Sequence, residues 1–317
     1  MNKLWTNAAA AMLLTVLMPW MLCNVLLMLT DREEPITPGP VFQTVPEISA
    51  TGSVRVLMDD GSVKILELED YIAGVLMGEM PDSFHSEALK AQAVVARTYA
   101  LRMREGSSKH TDADVCVRPE CCQSYRSGVS SPVRDAVEAT AGQVLTYGGE
   151  LIEATYFASS GGKTEDALAV WGSDVPYLQS VSSPEGIGDD RFVETVTFTA
   201  EAFADALGIS PRGPCATWFG SVAYTEGGGV ETMEIAGQLW KGTELRKLLG
   251  IRSTDMTISA VGEHIIVTTR GFGHRVGMSQ YGAEAMAVSG SKYDEILSHY
   301  YQGTTLELFV DKDSFLG

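Results

Sequence analysis

The amino-acid sequence predicts an α+β fold, with mixed strands and helices in one elongated globular domain that follows an N-terminal transmembrane helix. Short β-branched and aromatic segments typical of strands recur along the chain, together with segments whose apolar residues have helical spacing. The two kinds of segment do not follow the regular alternation of a βαβ protein. The 317 residues, 45% hydrophobic and 20% charged, are enough for one large folded domain or two smaller ones.

The N-terminus predicts the membrane segment. Residues 4–29 are almost all apolar, and this stretch is long enough for a bilayer, which needs about 20 residues. A lysine precedes the stretch and acidic residues follow it, so we expect a cytoplasmic N-terminus and the remaining chain outside the membrane. No small-residue cleavage site follows, which favours an anchor over a cleaved signal peptide. The sequence therefore predicts an anchor at 1–30, a proline-rich tether at 31–50 and a globular domain at 51–317.

The globular domain begins with a predicted hairpin and two helices. Asp59-Asp60-Gly61 is a turn signal between the strands Ser53–Met58 and Ser62–Leu68. A short helix then leads to Glu79, and a longer helix covers Ser86–Met103. Further strands are predicted at residues 143–147, 151–157, 192–198, 230–235, 256–260 and 264–269. Further helices are predicted at residues 200–207, 242–249 and 293–300.

Glu79 is the candidate catalytic residue. Asp70 is the predicted N-cap of the short helix, and Pro81 disfavours helical geometry at the preceding residue, so the helix ends near Glu79. Burial in an apolar segment and the dipole at a helix C-terminus both favour the protonated carboxyl. Glu79 is therefore a candidate proton donor near neutral pH. The alternative is a surface glutamate before a turn, the commoner place for a charged residue.

The net charge of −18 excludes one class of partner. Phosphate binding needs a basic patch, and the sequence holds no basic run of any length. We therefore expect no nucleic-acid partner.

Three long strings carry a resemblance to a known family. They are EDYIAGVLMGEMPDSFHSEALKAQAVVARTYALRM from residue 69, YFASSGGKTEDA from residue 156 and GFGHRVGMSQYGAEAMAVSG from residue 271. With the segments around them, from about Gly52 to Leu308, they resemble the stage II sporulation protein D family. The resemblance implies a membrane-anchored lytic transglycosylase that cleaves peptidoglycan glycan strands during engulfment of the forespore. Related amidase enhancers share the domain but act on a partner hydrolase.

The resemblance assigns the catalytic role to Glu79. In this reaction the 6-hydroxyl of the muramic acid attacks the anomeric carbon of the same sugar ring, and no water is needed. One carboxyl group can therefore serve first as acid and then as base. Asp82 and Glu87 are close to Glu79 in the chain and remain candidates for a second catalytic carboxylate. Arg97 matches an arginine that the family places near the active site. It would bind the lactyl carboxylate of a muramic acid, or orient Glu79 by a bidentate pair. The alternative is a helix arginine that faces solvent.

A histidine and three cysteines form a second candidate site. The spacing of His110, Cys116 and Cys122 resembles a zinc site of clostridial family members. Three such ligands leave a fourth position for water or a further side chain. A Cys116–Cys122 disulfide is the alternative, and the adjacent Cys121 competes for either role. We expect zinc to shape the cleft and not to activate water.

Two glycine-containing loops are candidate substrate-binding segments. Ser159, Ser160 and Gly161 follow a predicted strand, in a turn that either lets a ligand approach the backbone closely or is a plain glycine turn. The loop that begins at residue 271 is predicted to bring polar side chains into the cleft of Glu79. These side chains are His274, Ser279 and Gln280.

The resemblance also sets the expected partners and location. It implies peptidoglycan glycan strands as substrate, together with a cell-wall amidase and membrane proteins of the engulfment machinery as partners. It implies a single-pass membrane protein whose catalytic domain lies in the septal space of sporulating cells. The alternative is a non-catalytic cell-wall binding protein or amidase activator of the same fold.

Overall fold

The structure is a computed structural model that describes residues 52–185 and 192–310. The predicted anchor at 1–30 and tether at 31–50 lie outside the described residues and stay predictions. Within the two described ranges, no helix combines the length and the apolar character needed to cross a bilayer.

Helices and short strands are mixed along the described chain, which confirms the α+β prediction. The helices are α1 (Leu68–Glu79), α2 (Ser86–Arg102), α3 (Ser131–Ala139), α4 (Ala167–Trp171), α5 (Ala200–Leu207), α6 (Gly242–Leu248), α7 (Gln280–Val288) and α8 (Tyr293–Tyr300). The strands are β1 (Ser53–Leu57), β2 (Val63–Glu67), β3 (Val115–Cys116), β4 (Gln143–Tyr147), β5 (Glu150–Leu151), β6 (Tyr156–Phe157), β7 (Val193–Thr199), β8 (Phe219–Tyr224), β9 (Val230–Ile235), β10 (Gln238–Lys241), β11 (Met256–Val261), β12 (His264–Arg270), β13 (Met278–Ser279) and β14 (Thr305–Leu308).

The strands of the described residues form several small sheets. Antiparallel sheets have the orders β14-β4-β5, β10-β9-β8 and β11-β12-β7. In the sheet β2-β1-β3, the hairpin is antiparallel and β3 adds in parallel. The short strands β6 and β13 also pair in parallel. This last pair joins the segment after Thr155 to the loop that begins at Gly271, so two of the predicted functional segments are neighbours.

Helix α2 is the centre of the first part of the fold. Its sequence is rich in alanine and other apolar residues, and buried residues occur on every side of the helix. One side of it, including Leu89 and Val95, packs in a core with α7 and α8. Another side, including Ala96 and Leu101, packs with α1 and the first hairpin. A separate core, with Phe203 and Ile265 fully buried, holds the elements from β7 to β12 together.

The structure confirms most predicted elements and corrects two. Helix α1 begins at Leu68, directly after β2, with Glu67 and not Asp70 at the N-cap. The strand predicted at 151–157 is broken, because Leu151 pairs with β4 whereas Tyr156 pairs with β13. The chain thus changes sheets between these two residues. Helices α3, α4 and α7 were not predicted.

Candidate active site

Glu79 is the last residue of α1 and is half-buried. The next residue, Met80, has an extended backbone (φ −129°, ψ 147°), as expected before a proline. The helix therefore ends where Pro81 predicts, and the carboxylate lies at the helix C-terminus. The helix dipole disfavours a negative charge at this position.

Burial and three polar neighbours set the acidity of Glu79. The backbone N–H of Ser124 donates to its Oε1 at 2.6 Å. The Tyr156 hydroxyl and the Gln280 amide interact with the carboxylate more weakly. Burial raises the pKa of Glu79 above its ordinary value, and these three polar groups oppose the rise. The net result is a carboxyl group that keeps its proton to a higher pH than an exposed glutamate does.

A chain of side chains leads away from the carboxylate. The Gln123 amide donates to the Tyr156 hydroxyl at 3.3 Å, and the Tyr71 hydroxyl donates to Gln123 Oε1 at 3.3 Å. Burial, with the charge of Glu79 as a further cause, raises the pKa of Tyr156 well above its ordinary value. Tyr156 therefore remains a hydroxyl donor at neutral pH. Sequence reasoning missed this residue, although it begins one of the strings that carry the family resemblance.

Glu79 and Gln280 line a cleft of about 690 Å³, a size that suits part of a glycan strand. Other lining residues are Tyr99, Lys109, Glu120, Cys121, Cys122, Glu153, Tyr156, Phe157, Trp171, Arg246, Phe272 and His274. Asp82 and Glu87, the two nearby carboxylates of the sequence, are not among the lining residues. Glu87 is instead bound by Lys90 and by the backbone N–H of Tyr293.

His274 and Gln280 reach the cleft as predicted. His274 Nδ1 accepts the backbone N–H of Val276 at 3.1 Å. Burial and, to a lesser extent, the nearby charge of Arg246 lower the pKa of His274 to about 4. The imidazole is therefore neutral at physiological pH and cannot act as the general acid. Gln280 is 5% exposed, and its Nε2 acts on the Glu79 carboxylate from beyond hydrogen-bond distance, so it forms no direct hydrogen bond within the described part of the chain.

The structure corrects the predicted role of Ser159, Ser160 and Ser279. None of the three is more than 1% exposed, so no side chain among them is free to contact a substrate. The Ser160 N–H donates to the Glu185 carboxylate, and the Ser279 hydroxyl donates to the same oxygen at 2.8 Å. Ser279 also caps α7. These serines therefore hold the wall behind the cleft.

Gly161 belongs to the same loop and is not among the residues that line the cleft. Its φ of +78° is in the left-handed region, and an added Cβ would lie 2.7 Å from the Arg270 side chain. Glycine at this position is explained by backbone geometry and by the close approach of Arg270.

The structure also corrects the predicted role of Arg97. Its guanidinium is fully buried and forms a bidentate pair with Glu69, at 2.9 Å from Nε to Oε1 and 2.6 Å from Nη2 to Oε2. Its Nη1 donates to the Gln143 carbonyl at 3.1 Å. Arg97 thus neither pairs with Glu79 nor reaches a bound sugar. It is equally not a solvent-facing helix residue, because α2 is surrounded by packed elements.

The candidate metal ligands are brought together beside the cleft, which Cys121 and Cys122 line. One ligand atom from each of His110, Cys116, Cys121 and Cys122 lies within 4.8 Å of every other. The Sγ atoms of Cys121 and Cys122 are 3.7 and 3.5 Å from His110 Nε2 and 3.9 Å from each other. Tetrahedral zinc, with Zn–S bonds of about 2.3 Å and Zn–N bonds of about 2.0 Å, needs ligand separations of about 3.5–3.8 Å.

Cys121 is the fourth member that the predicted ligand set lacks. The chain spacing of an adjacent cysteine pair does not tell which sulfur points inward, and in the structure both do. All three cysteines of the cluster are free, so the structure does not contain the alternative Cys116–Cys122 disulfide. Burial raises the pKa of the Cys122 thiol to about 12. A bound cation would reverse this, because metal ligation favours the thiolate.

Residues 59–147, which include Glu79 and the cluster of His110 and the three cysteines, match a family model described as stage II sporulation protein. The chain is 41% identical over 271 residues to stage II sporulation protein D of Bacillus subtilis (strain 168), covering 80% of this chain and 78% of that protein. It is 38% identical over 303 residues to the protein of the same name from Bacillus amyloliquefaciens, covering 90% of this chain and 82% of that protein. The chain therefore belongs to the stage II sporulation protein D family and has a role in sporulation.

A third relative has a different name. The amidase enhancer of Bacillus subtilis (strain 168) is 31% identical over 295 residues, covering 74% of this chain but 40% of that protein. The family resemblance predicted from the sequence strings is thus confirmed, and so is the link to amidase enhancers.

Proposed function

We propose that this protein is a peptidoglycan lytic transglycosylase that cleaves the bond between N-acetylmuramic acid and N-acetylglucosamine in peptide-stripped glycan strands. The observation that carries the proposal is the half-buried Glu79, with its raised pKa, in a cleft of about 690 Å³. A general acid needs both a proton at working pH and access to a substrate; the raised pKa of Glu79 favours the first, and its position in the cleft provides the second.

One carboxyl group is enough for the proposed reaction. Protonated Glu79 donates its proton to the glycosidic oxygen, and the bond from that oxygen to the muramyl C1 breaks. The muramyl O6 attacks the same C1, and the Glu79 carboxylate takes the O6 proton. The product is a 1,6-anhydro end, and Glu79 is protonated again for the next cycle. The Ser124 N–H, at 2.6 Å, stabilises the carboxylate formed between the two steps.

The remaining cleft groups fit binding and orientation. Neutral His274 offers hydrogen bonds without a charge, and Gln280 Nε2 is a donor that forms no direct hydrogen bond in the described residues. A buried donor of this kind gains most from a ligand acceptor, such as an acetamido carbonyl or a hydroxyl oxygen. We assign these two side chains to substrate contact.

Zinc fits the cluster of His110, Cys116, Cys121 and Cys122, because three thiolates and an imidazole at these separations suit a closed tetrahedral site. When bound, zinc would crosslink the segment that leads to Ser124. No vertex then remains for water, so the proposed role is structural.

The setting of the proposed reaction is forespore engulfment. The apolar N-terminal segment supports a single-pass membrane location with the catalytic domain in the septal space. A cell-wall amidase that removes stem peptides would supply the stripped strands, and membrane proteins of the engulfment machinery would hold both enzymes. The shared ancestry with an amidase enhancer is consistent with an amidase partner.

The test is digestion of peptide-stripped glycan strands by the zinc-loaded full chain in detergent, with the Glu79→Gln variant beside it. Mass spectrometry should find 1,6-anhydro-muramyl ends from the wild type and none from the variant. Intact strands with both proteins, while the folded wild type still binds glycan, would contradict the enzyme proposal. That result would favour a cell-wall binding protein or amidase activator instead.

A further inference from the structure

Trp171, the last residue of α4, lines two concave surfaces. One is the cleft of Glu79, and the other is a neighbouring cavity of about 510 Å³, which we call the side pocket. The side pocket lies between residues 165–172 and the strands β8 to β10. Its lining includes Glu165, Tyr224, Glu231 and Lys241. A ligand that extends along the cleft beyond Trp171 would therefore enter the side pocket.

Aromatic rings lead from the cleft to this pocket. The ring centroids of Phe157 and His274 are 5.6 Å apart, and those of His274 and Trp171 are 5.5 Å apart. Trp171 is 42% exposed and Tyr224 is 57% exposed, which leaves two large rings open to solvent at the edges of the pocket. Exposed rings with a polar edge provide flat apolar area at low entropic cost. Such faces stack well on the C–H faces of pyranose rings.

Glu165 is a buried carboxylate in the lining of the side pocket. Its side chain is 1% exposed, and its Oε1 accepts from the Thr225 hydroxyl at 2.8 Å, the Gly229 N–H at 3.0 Å and the Arg275 guanidinium at 3.1 Å. Its Oε2 has no hydrogen-bond partner among the residues that the structure describes. An added Cβ on Gly227 would lie 2.5 Å from this oxygen, so only glycine allows the backbone to pack this closely on the carboxylate. A buried carboxylate oxygen lacking a donor gains from a ligand hydroxyl or N–H.

The charges around the pocket favour a neutral ligand. Glu165 is neutralised by Arg275, and Glu226 is paired with Lys163 at 3.2 Å. Lys241 also lines the pocket, together with the acidic residues Asp166 and Glu231. A strongly cationic or anionic ligand would thus meet charges of both signs. A ligand rich in hydroxyl and amide groups would find a hydrogen-bonding partner in each of them.

We propose that the side pocket binds a further sugar residue of the glycan strand whose scissile bond lies at Glu79, with Trp171 at the junction. This inference rests on the proposed function, since it extends the same substrate site. The ring of the bound sugar stacks on Trp171 or Tyr224, and one of its hydroxyl or acetamido groups donates to Glu165 Oε2. The pocket thereby gives the protein a preference for long strands over short fragments.

The test measures how affinity depends on oligosaccharide length. The probes are β-1,4-linked N-acetylglucosamine oligomers from disaccharide to hexasaccharide. The protein is the full chain in detergent with Glu79→Gln, which prevents cleavage. Isothermal titration calorimetry should show affinity that rises with oligomer length. Tyr224→Ala should lower the affinity about three- to tenfold for the longer oligomers and leave that for the shorter ones unchanged. Trp171→Ala should have at least this effect on the same oligomers. Leu239→Ala, which truncates another exposed apolar side chain on β10 (69% exposed) outside the pocket, should bind like the parent protein.

Three outcomes separate this inference from the proposed function. Binding that stops rising at the disaccharide, or that is insensitive to Tyr224→Ala at every length, overturns the side-pocket site and leaves the cleavage proposal standing. Saturation of the side pocket by a stem tripeptide, abolished by Tyr224→Ala, overturns the sugar assignment in favour of a peptide. Failure of the folded protein to bind any oligomer removes the support for both.

Discussion

The backbone N–H of Ser124 lies 2.6 Å from Oε1 of Glu79, although the two residues are 45 positions apart in the chain. This contact is possible because Gly78, the residue before Glu79, has no side chain. An added Cβ on Gly78 would lie 2.8 Å from the carbonyl carbon of Ser124 and 2.8 Å from the backbone nitrogen of Tyr125. The loop that begins after the metal cluster therefore packs directly on the end of α1.

Gly78→Ala should inactivate the protein. Alanine in a helix ordinarily stabilises by about 1 kcal/mol over glycine, so propensity alone predicts a more stable variant. The clash with the Ser124 backbone predicts the opposite: a lower free energy of unfolding and at least a tenfold lower rate of anhydro-end formation. Gly220→Ala is the control, because its Cβ would meet only the flexible Glu234 side chain. Urea titration and product analysis measure the two effects, and a stabilised, active Gly78→Ala variant would contradict this account.

Tyr156→Phe should move the pH profile of cleavage upward. The Tyr156 hydroxyl favours the ionised form of Glu79, so its removal raises the pKa of Glu79 further. The acid step needs the protonated carboxyl, and the rate falls as pH rises through that pKa. The alkaline limb of kcat/KM should therefore shift to higher pH in the variant. Tyr293→Phe, which loses a bond to Gln143 and not to Glu79, should keep the wild-type limb.

The raised pKa of Glu79 should also make the free energy of unfolding depend on pH. The pKa of Glu79 is raised above its ordinary value of 4.5, so its stabilising contribution is full below about pH 4.5 and is lost as pH rises through the raised pKa. Glu79→Gln has no such loss. The free energy of unfolding of the variant should therefore gain on the wild type as pH rises to neutrality, by about 1.4 kcal/mol for each unit of pKa elevation. Urea titrations at a series of pH values test this, and a difference independent of pH would refute the raised pKa.

Cys121→Ser should weaken zinc binding as strongly as Cys116→Ser or Cys122→Ser. All three sulfurs lie in the same group as His110, and a closed site uses each of them. We expect each variant to lose more than about tenfold in zinc affinity, measured by competition with a chromophoric chelator. Cys215→Ser is the matched control, because this buried free cysteine is outside the cluster. Wild-type affinity in Cys121→Ser would show that the fourth vertex is open.

Sequence reasoning located the parts of the site that local rules determine. Pro81 predicts the end of α1, and therefore the position of Glu79 at a helix terminus. Burial of Glu79 and its raised pKa follow from the apolar residues that precede it. The residues around its carboxylate do not follow, because Ser124, Tyr156 and Gln280 come from distant segments. Their approach depends on tertiary packing, which no spacing rule in a single sequence encodes.

Tertiary packing also explains why the roles predicted for the loop serines and for Arg97 were wrong. Ser160 and Ser279 are polar residues in glycine-containing loops, a pattern equally typical of substrate contacts and of buried support. The buried Glu185 carboxylate decides between these readings, since it binds both residues from a third segment. For Arg97 a signal was present, because its neighbours one helical turn away, such as Val94 and Leu101, are apolar. A helix that is apolar on all sides predicts a buried arginine, and a buried arginine requires a partner.

Arg97 stabilises the fold through its ion pair with Glu69. Its guanidinium is fully buried, while the Glu69 side chain keeps 32% of its exposure. Removal of Arg97 lowers the stability of the fold by more than the loss of an exposed ion pair would. It also leaves the Gln143 carbonyl without its hydrogen-bond donor and creates a cavity beside α3. Arg97→Ala should lower the free energy of unfolding by about 3–5 kcal/mol. Lys90→Ala removes a cation that is 26% exposed in its pair with Glu87, and it should cost no more than about 1 kcal/mol.

Arg97→Ala also distinguishes a structural role from a catalytic one. If Arg97 supports only the packing of α1 against α2, the folded fraction of the variant should cleave glycan with unchanged KM and with the wild-type pH profile. Arg97→Lys should recover part of the stability, because one charge is restored without the planar fork that binds both oxygens of Glu69. A large rise in KM with little loss of stability would instead place Arg97 on the substrate. Urea titration and kinetics below the unfolding transition together decide between the two.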